Sequence, residues 1–165
     1  MNVLGIDPGT AATGYGLIAV EGSRMRPLEH GVIETPSGSA PALRLAAIFS
    51  AVSDLIQRHD PGSVALEDLY VGGNPRTVLS VGQARGAVLT ACGLAGIDAA
   101  GYSPAEVKTA VCGFGRADKQ QVRRMVGALL GEHTGSLSDH ASDALAVAVC
   151  HAVRSRLPRT AGAAR

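Results

Sequence analysis

A chain of 165 residues is long enough for one domain with a sizeable core and too short for two ordinary ones. Hydrophobic residues at 46% exclude a disordered protein, while aromatics at 3%, no Trp and 27 Ala predict a core close-packed from small side chains. Fifteen Lys and Arg against fourteen Asp and Glu leave a net charge of +1, which at face value argues against a nucleic-acid binder.

The start, Met1-Asn2-Val3 running into Asp7, lacks the basic segment and long apolar run of a secretory signal. No stretch approaches the roughly twenty uninterrupted apolar residues of a membrane span. Cys92, Cys112 and Cys150 are far apart and odd in number, which points to free thiols in a reducing compartment rather than to disulfides or a zinc site. A cytoplasmic protein is expected.

Val3 to Ile6 is an apolar run that delivers Asp7 to the tip of a strand before a Pro-Gly turn. Gly14 to Val20 and Arg26 to Thr35 read as two further strands, and the short connections make the three an antiparallel meander. Ala42 to His59 has apolar residues at a helical period, and Pro61-Gly62 ends it. Ser63 to Glu67 is a strand with a carboxylate at its end. Pro75 to Leu94 is a second long helix, Ile97 to Tyr102 a fifth strand, and Pro104 to Val111 a short helix. After a flexible Gly113 to Gly115, helices are predicted over Lys119 to Leu130 and about Asp139 to Arg154. The expectation is an α/β domain over residues 1–156, a five-stranded mixed sheet flanked by helices, with residues 157–165 a disordered tail.

Three carboxylates stand out by position. Asp7 and Glu67 each close a strand, and in a mixed sheet such ends can lie side by side on one edge. Asp143 interrupts the apolar run Ala141 to Val149, where a charge is costly unless paired or metal-bound. His140 lies three residues before it, on the same helix face. Together they form an oxygen-rich set with one imidazole, suited to Mg²⁺ or Mn²⁺. Each also has a plainer reading: a turn acceptor for Asp7, an exposed strand end for Glu67, a helix-start position for His140 and Asp143.

The run Gly5-Ile6-Asp7-Pro8-Gly9-Thr10, continuing to Thr13-Gly14-Tyr15-Gly16, resembles the opening of the RuvC family of Holliday-junction resolvases. The likeness returns at Ala65-Leu66-Glu67, Gly82-Gln83-Ala84-Arg85-Gly86, Val107-Lys108 and Asp143-Ala144-Leu145-Ala146, in the family's order, ending near His151. The resemblance implies a ribonuclease-H-like fold and a metal-dependent endonuclease that cuts opposed strands of a four-way DNA junction. Its acidic set maps onto Asp7, Glu67 and Asp143, with His140 in a fourth place that other members fill with Asp. Asp139 is a rival for that place; alternatively it starts the helix, in a capping-box pattern with Ser136. The cofactor implied is Mg²⁺, two ions per active site, with Mn²⁺ as a substitute.

The only two lysines, Lys108 and Lys119, match basic positions that the family uses near the scissile phosphate. Tyr70 falls where the family carries an aromatic that inserts among bases, and Val71 to Pro75 would be a loop that orders on DNA. Arg76 is the expected phosphate contact on the following helix, with Arg85 as a structural residue. A homodimer supplies the two equivalent sites that symmetric cutting requires, through Arg76 to Leu94, although that helix's apolar face could instead be core. The resemblance also implies the RuvA–RuvB branch-migration complex as a possible partner. Rival readings are a nuclease for another branched nucleic acid, a phosphate loop of the actin-like ATPase type, for which the chain is too short, and a silent DNA-binding scaffold.

Divided along the chain, the charge is −4 over residues 1–75, +4 over 76–124, −3 over 125–153 and +4 beyond. The near-neutral total therefore conceals a basic segment beside an acidic set.

Overall fold

The computed structural model describes residues 1–68, 74–131 and 137–155. Five strands, β1 (Asn2–Asp7), β2 (Ala12–Glu21), β3 (Arg24–Glu34), β4 (Ser63–Glu67) and β5 (Ala99–Tyr102), form one sheet in the order β3-β2-β1-β4-β5. β1, β2 and β3 pair antiparallel, whereas β4 and β5 run parallel to β1. Five helices, α1 (Pro41–His59), α2 (Pro75–Ala95), α3 (Pro104–Cys112), α4 (Lys119–Leu130) and α5 (Asp139–Arg154), cover both faces. The predicted element order holds throughout.

Alternation along the strands decides which helix meets which side chain. Leu4 and Ile6 of β1, with Val64 and Leu66 of β4, pack against Ile48, Val52 and Leu55 of α1 and Ala84 and Val88 of α2. Val3 and Ala65 face the opposite way, onto Val107 of α3, Val126 of α4 and Leu145 and Val149 of α5. Asp7 shares the parity of Val3 and Gly5, and Glu67 that of Ala65, so both end carboxylates belong to the α5 side.

Local signals start and stop the helices. Pro stands at the first turn of α1, α2 and α3. Ser103–Glu106 and Asp118–Gln121 are reciprocal capping boxes on α3 and α4. The α5 cap is Ser138, which accepts from the Ala141 N–H at 3.3 Å; Ser136, the cap in the alternative reading of Asp139, lies outside the described residues. Asp139 is accordingly the first residue of the helix.

α2 is, by length and composition, apolar enough to cross a membrane, and only 22% of its eighteen-residue window is buried. Its buried residues, Ala84, Val88, Ala91 and Cys92, sit on one side, while Leu79, Leu89 and Leu94 are exposed. One side of the helix is therefore core, as one of the two readings of its apolar face had it, and the other side is uncovered in the single chain. The three cysteines are free, as expected.

Helix α5 lies very close to the central strands. A Cβ on Gly5 would fall 2.1 Å from the Ala144 carbonyl oxygen, one on Gly14 2.0 Å from that of His140, and one on Gly16 2.8 Å from the Leu145 amide nitrogen. Gly5 and Gly16 are register partners, and Gly14 is paired with Asp7. Bare backbone thus lets the helix lie directly on the sheet. Gly5→Ala should lower stability by roughly 1–3 kcal/mol in urea unfolding, because backbone must move to admit the methyl group; an unchanged midpoint would mean that α5 can retreat freely.

Candidate active site

β1 and β4 run parallel with Gly5 opposite Ala65 and Ile6 opposite Leu66, and one further step brings the Asp7 and Glu67 positions abreast. α5 crosses above them. Its N-terminal turns project His140 and Asp143 toward the same sheet edge, because Gly14 holds the His140 backbone against the strand that pairs with Asp7. The carboxylates of Asp7, Glu67 and Asp143 lie close enough to act on one another electrostatically.

Each carboxylate also has a distinct companion. His140 Nδ1 lies 2.8 Å from Asp7 Oδ2. Lys119 Nζ bridges Asp143 Oδ2 at 3.2 Å and Asp139 Oδ2 at 3.1 Å. Arg123 Nη1 stands 3.5 Å from Asp139 Oδ1. Asp139 is thus drawn to the basic side of Asp143, and His140 occupies the Asp7 side. Both candidates for the fourth place are close to the acidic set, and His140 is the one in contact with Asp7.

A cleft of 210 Å³ opens beside these groups, with Glu67, Asp143, Lys108 and Lys119 among its polar lining and Pro104, Val107, Val122 and Ala146 as its apolar lining. A second cleft, of 360 Å³, is lined by Asp7, Glu67, Asp68, Val78, Val81 and His140. Glu67 borders both. Of the remaining sequence candidates, Arg76 is exposed at the start of α2 and gives its backbone N–H to the Asn74 side chain at 2.9 Å. It lines neither cleft. Tyr70 lies outside the described residues.

Sequence reasoning passed over Asp68 and Arg123. Asp68 is paired with Arg85 at 2.8 Å, and only the adjacency to Glu67 signalled it. Arg123 stands one turn after Lys119, on the same face of α4.

Electrostatics sets the character of the site. Burial, followed by the charges of Asp7 and Asp143, pushes Glu67 up from 4.5 to about 7. Burial also raises Asp143, against the opposing pull of Lys119. For Lys119, burial acts downward, but its hydrogen bond to Asp139 and the Asp143 charge outweigh it and leave the ammonium more basic than usual. The hydrogen bond from Lys119 holds Asp139 below the ordinary carboxylate range.

Among the described residues, no three His, Cys, Asp or Glu side chains converge as a ready metal cage. Asp7 and Asp143 are engaged by His140 and Lys119 instead. The donor chemistry nevertheless fits a hard divalent cation: three half-buried carboxylates share one sheet edge, and their mutual repulsion is relieved in part by keeping a proton on Glu67.

Comparison with known proteins identifies the family. Residues 3–151 match the family described as crossover junction endodeoxyribonuclease RuvC. This chain belongs to the RuvC family. The crossover junction endodeoxyribonuclease RuvC of Moorella thermoacetica is 51% identical over 152 residues, covering 92% of this chain and 91% of the relative. That of Rubrobacter xylanophilus is 46% identical, covering 97% and 89%. The structure of Thermus thermophilus RuvC in complex with a Holliday junction substrate superposes with a TM-score of 0.90 at 36% identity, covering 94% of this chain and 95% of that one. This chain is therefore a hydrolytic nuclease of ribonuclease-H-like fold, in a family whose chemistry depends on divalent metal.

Glu67 supplies a pH test of the site. Protonated up to about 7 when folded and ionising near 4.5 when unfolded, it contributes stability below 4.5 that is lost as pH rises through 7. Without metal, Glu67→Gln should therefore be more stable than the parent at pH 8, by on the order of 3 kcal/mol, with the gap closing near pH 5. Equal thermal midpoints at both pH values would contradict the raised value.

Proposed function

We propose that this chain resolves Holliday junctions by symmetric nicking of opposed strands, with Asp7, Glu67, Asp143 and His140 as ligands for two Mg²⁺ ions, for which Mn²⁺ can substitute. The observation that carries this reading is the placing of three carboxylates from β1, β4 and α5 at one sheet edge, Glu67 and Asp143 in the cleft that Lys108 and Lys119 also line and Asp7 in the adjoining cleft that Glu67 shares. Such ions, when bound, lower the pKa of the attacking water and stabilise the leaving oxygen.

The chain's own residues do the rest. Asp7, at the tip of the central strand and only 17% exposed, is the most firmly placed donor. His140 accompanies Asp7 and fixes the carboxylate's orientation from α5. Lys108 and Lys119 draw the phosphate into the cleft; Lys119 can turn from Asp143 to the strand, whereas Lys108 has no ion pair to exchange among the described residues. Arg76, exposed beyond the cleft, contacts a more distant phosphate, and Tyr70 stacks on a base at the crossover.

Two such sites are needed for paired cuts, and a homodimer provides them. The exposed side of α2 supports this assembly: Leu79, Leu89 and Leu94 are uncovered, and Gly86 and Gly93 leave open space for a second helix to approach. Residues 1–156 form the nuclease domain in this reading and 157–165 a tail. A DNA substrate and three unpaired thiols support a cytoplasmic location, and RuvA–RuvB is the proposed branch-migration partner.

The decisive experiment uses a synthetic four-way junction with each strand end-labelled in turn, under Mg²⁺ and under Mn²⁺. Paired nicks at symmetric positions near the crossover are expected, with hairpin, duplex and RNA left intact. Asp7→Asn should bind the junction with little change and fail to cut it; full metal-dependent cleavage by that variant would sink the assignment.

Lys108→Ala and Lys119→Ala should each weaken junction binding and lower by about one the slope of log affinity against log salt. A slope identical to the parent's would remove that lysine from the phosphate contacts.

A further inference from the structure

Arg85 lies inside α2, a helix with little other charge, and only 20% of its side chain is exposed. A guanidinium so placed needs partners, and it finds them at the end of β4. One Nη donates to the Glu67 carbonyl oxygen at 3.0 Å, and the other pairs with Asp68 Oδ1 at 2.8 Å. The planar fork thus spans two consecutive residues, which a lysine ammonium on a flexible stem cannot reproduce.

The same peptide is held from the other side. The Asp68 N–H donates to the Tyr102 carbonyl oxygen at 2.8 Å, which extends the β4–β5 ladder one step beyond the strand. The Asp68 carboxylate fills the space over Gly101, where a Cβ would stand 2.3 Å from Oδ1. The Glu67–Asp68 peptide is therefore fixed by α2 on one side and by β5 on the other, immediately where the chain leaves the sheet.

We propose that Arg85 is a positioning residue that clamps the Glu67–Asp68 peptide, with Asp68 and Gly101 as the other jaw, and so holds the Glu67 carboxylate beside Asp7 for metal binding. The inference rests on the assignment of Glu67 as a metal ligand. Arg85 touches neither substrate nor ion in this role; it acts through the backbone from which the Glu67 side chain departs.

The test is calorimetric titration of the full-length protein with Mn²⁺, beside junction affinity in EDTA and the Mn²⁺ dependence of junction nicking. Arg85→Met should raise the Mn²⁺ concentration for half-saturation about tenfold, in both titration and nicking, at the lower end of what loss of an outer-shell contact costs. Junction affinity in EDTA should stay within about twofold, since no DNA contact is removed. Arg85→Lys should recover part of the loss. Gly101→Ala, which displaces only the Asp68 jaw, should give a smaller shift in the same direction, and these two variants decide the matter should Arg85→Met fail to fold. Glu67→Gln separates the two levels of the argument. If it loses Mn²⁺ binding while the Arg85 and Gly101 variants titrate like the parent, the clamp is overturned; if it binds Mn²⁺ like the parent, the ligand assignment itself falls.

Discussion

The structure depends on the contact of α5 with the glycine stripe of β1 and β2. Gly5, Gly14 and Gly16 leave no side chain between helix and sheet, so carbonyl oxygens and amide nitrogens of α5 lie where Cβ atoms would otherwise stand. From Ala144 to Cys150 every α5 residue is buried. Polar groups can therefore emerge from this helix only near its ends, and at the first end they meet the tips of β1 and β4. A helix held farther off by ordinary side chains would leave His140 out of reach of Asp7.

The gathering of like charges works against the stability of the fold. Burial and repulsion together keep Glu67 protonated to about 7, Lys119 offsets the negative charge of Asp143, and the His140 ring lies against Asp7. A site of this kind is held together by packing elsewhere and is destabilised by its own groups, which makes it receptive to cations. In the proposed function, the basic residues beside it, Lys108 and Lys119, offer the complementary charge to an anionic strand. The near-zero net charge of the chain gives no sign of this separation, because acids and bases are sorted along the chain and cancel in the sum.

Much of this was legible in the sequence, for identifiable reasons. Short apolar runs ending in Asp7 and Glu67, and a helical run ended by Pro61-Gly62, depend on local chemistry, and the structure follows them. The carboxylate set was legible because a charge inside the apolar stretch around Asp143 contradicts its surroundings. Other features depend on the tertiary arrangement. Arg85 reads as one more helix charge until β4 is placed beside α2, and its grip on a backbone carbonyl leaves no trace in residue types. The choice of Ser138 over Ser136 as the α5 cap turns on where the helix begins to pack. The two sides of α2 could not be separated from a pattern in which Ala, Gly, Val and Leu occur all round the helix.

The loop after β1 is secured differently from the acidic set it adjoins. Thr10 and Ser80 join it to α2 hydroxyl to hydroxyl at 2.5 Å, Thr35 donates to the Thr10 carbonyl, and Thr13 donates to the Gly9 carbonyl at 2.7 Å. Neutral hydrogen bonds and glycine contacts are indifferent to dissolved salt, whereas attraction between lysines and a phosphate backbone is screened by it. Rising ionic strength should thus release nucleic acid while leaving the scaffold of the acidic set in place, so that in this protein holding the substrate and holding the shape respond to different properties of the solvent.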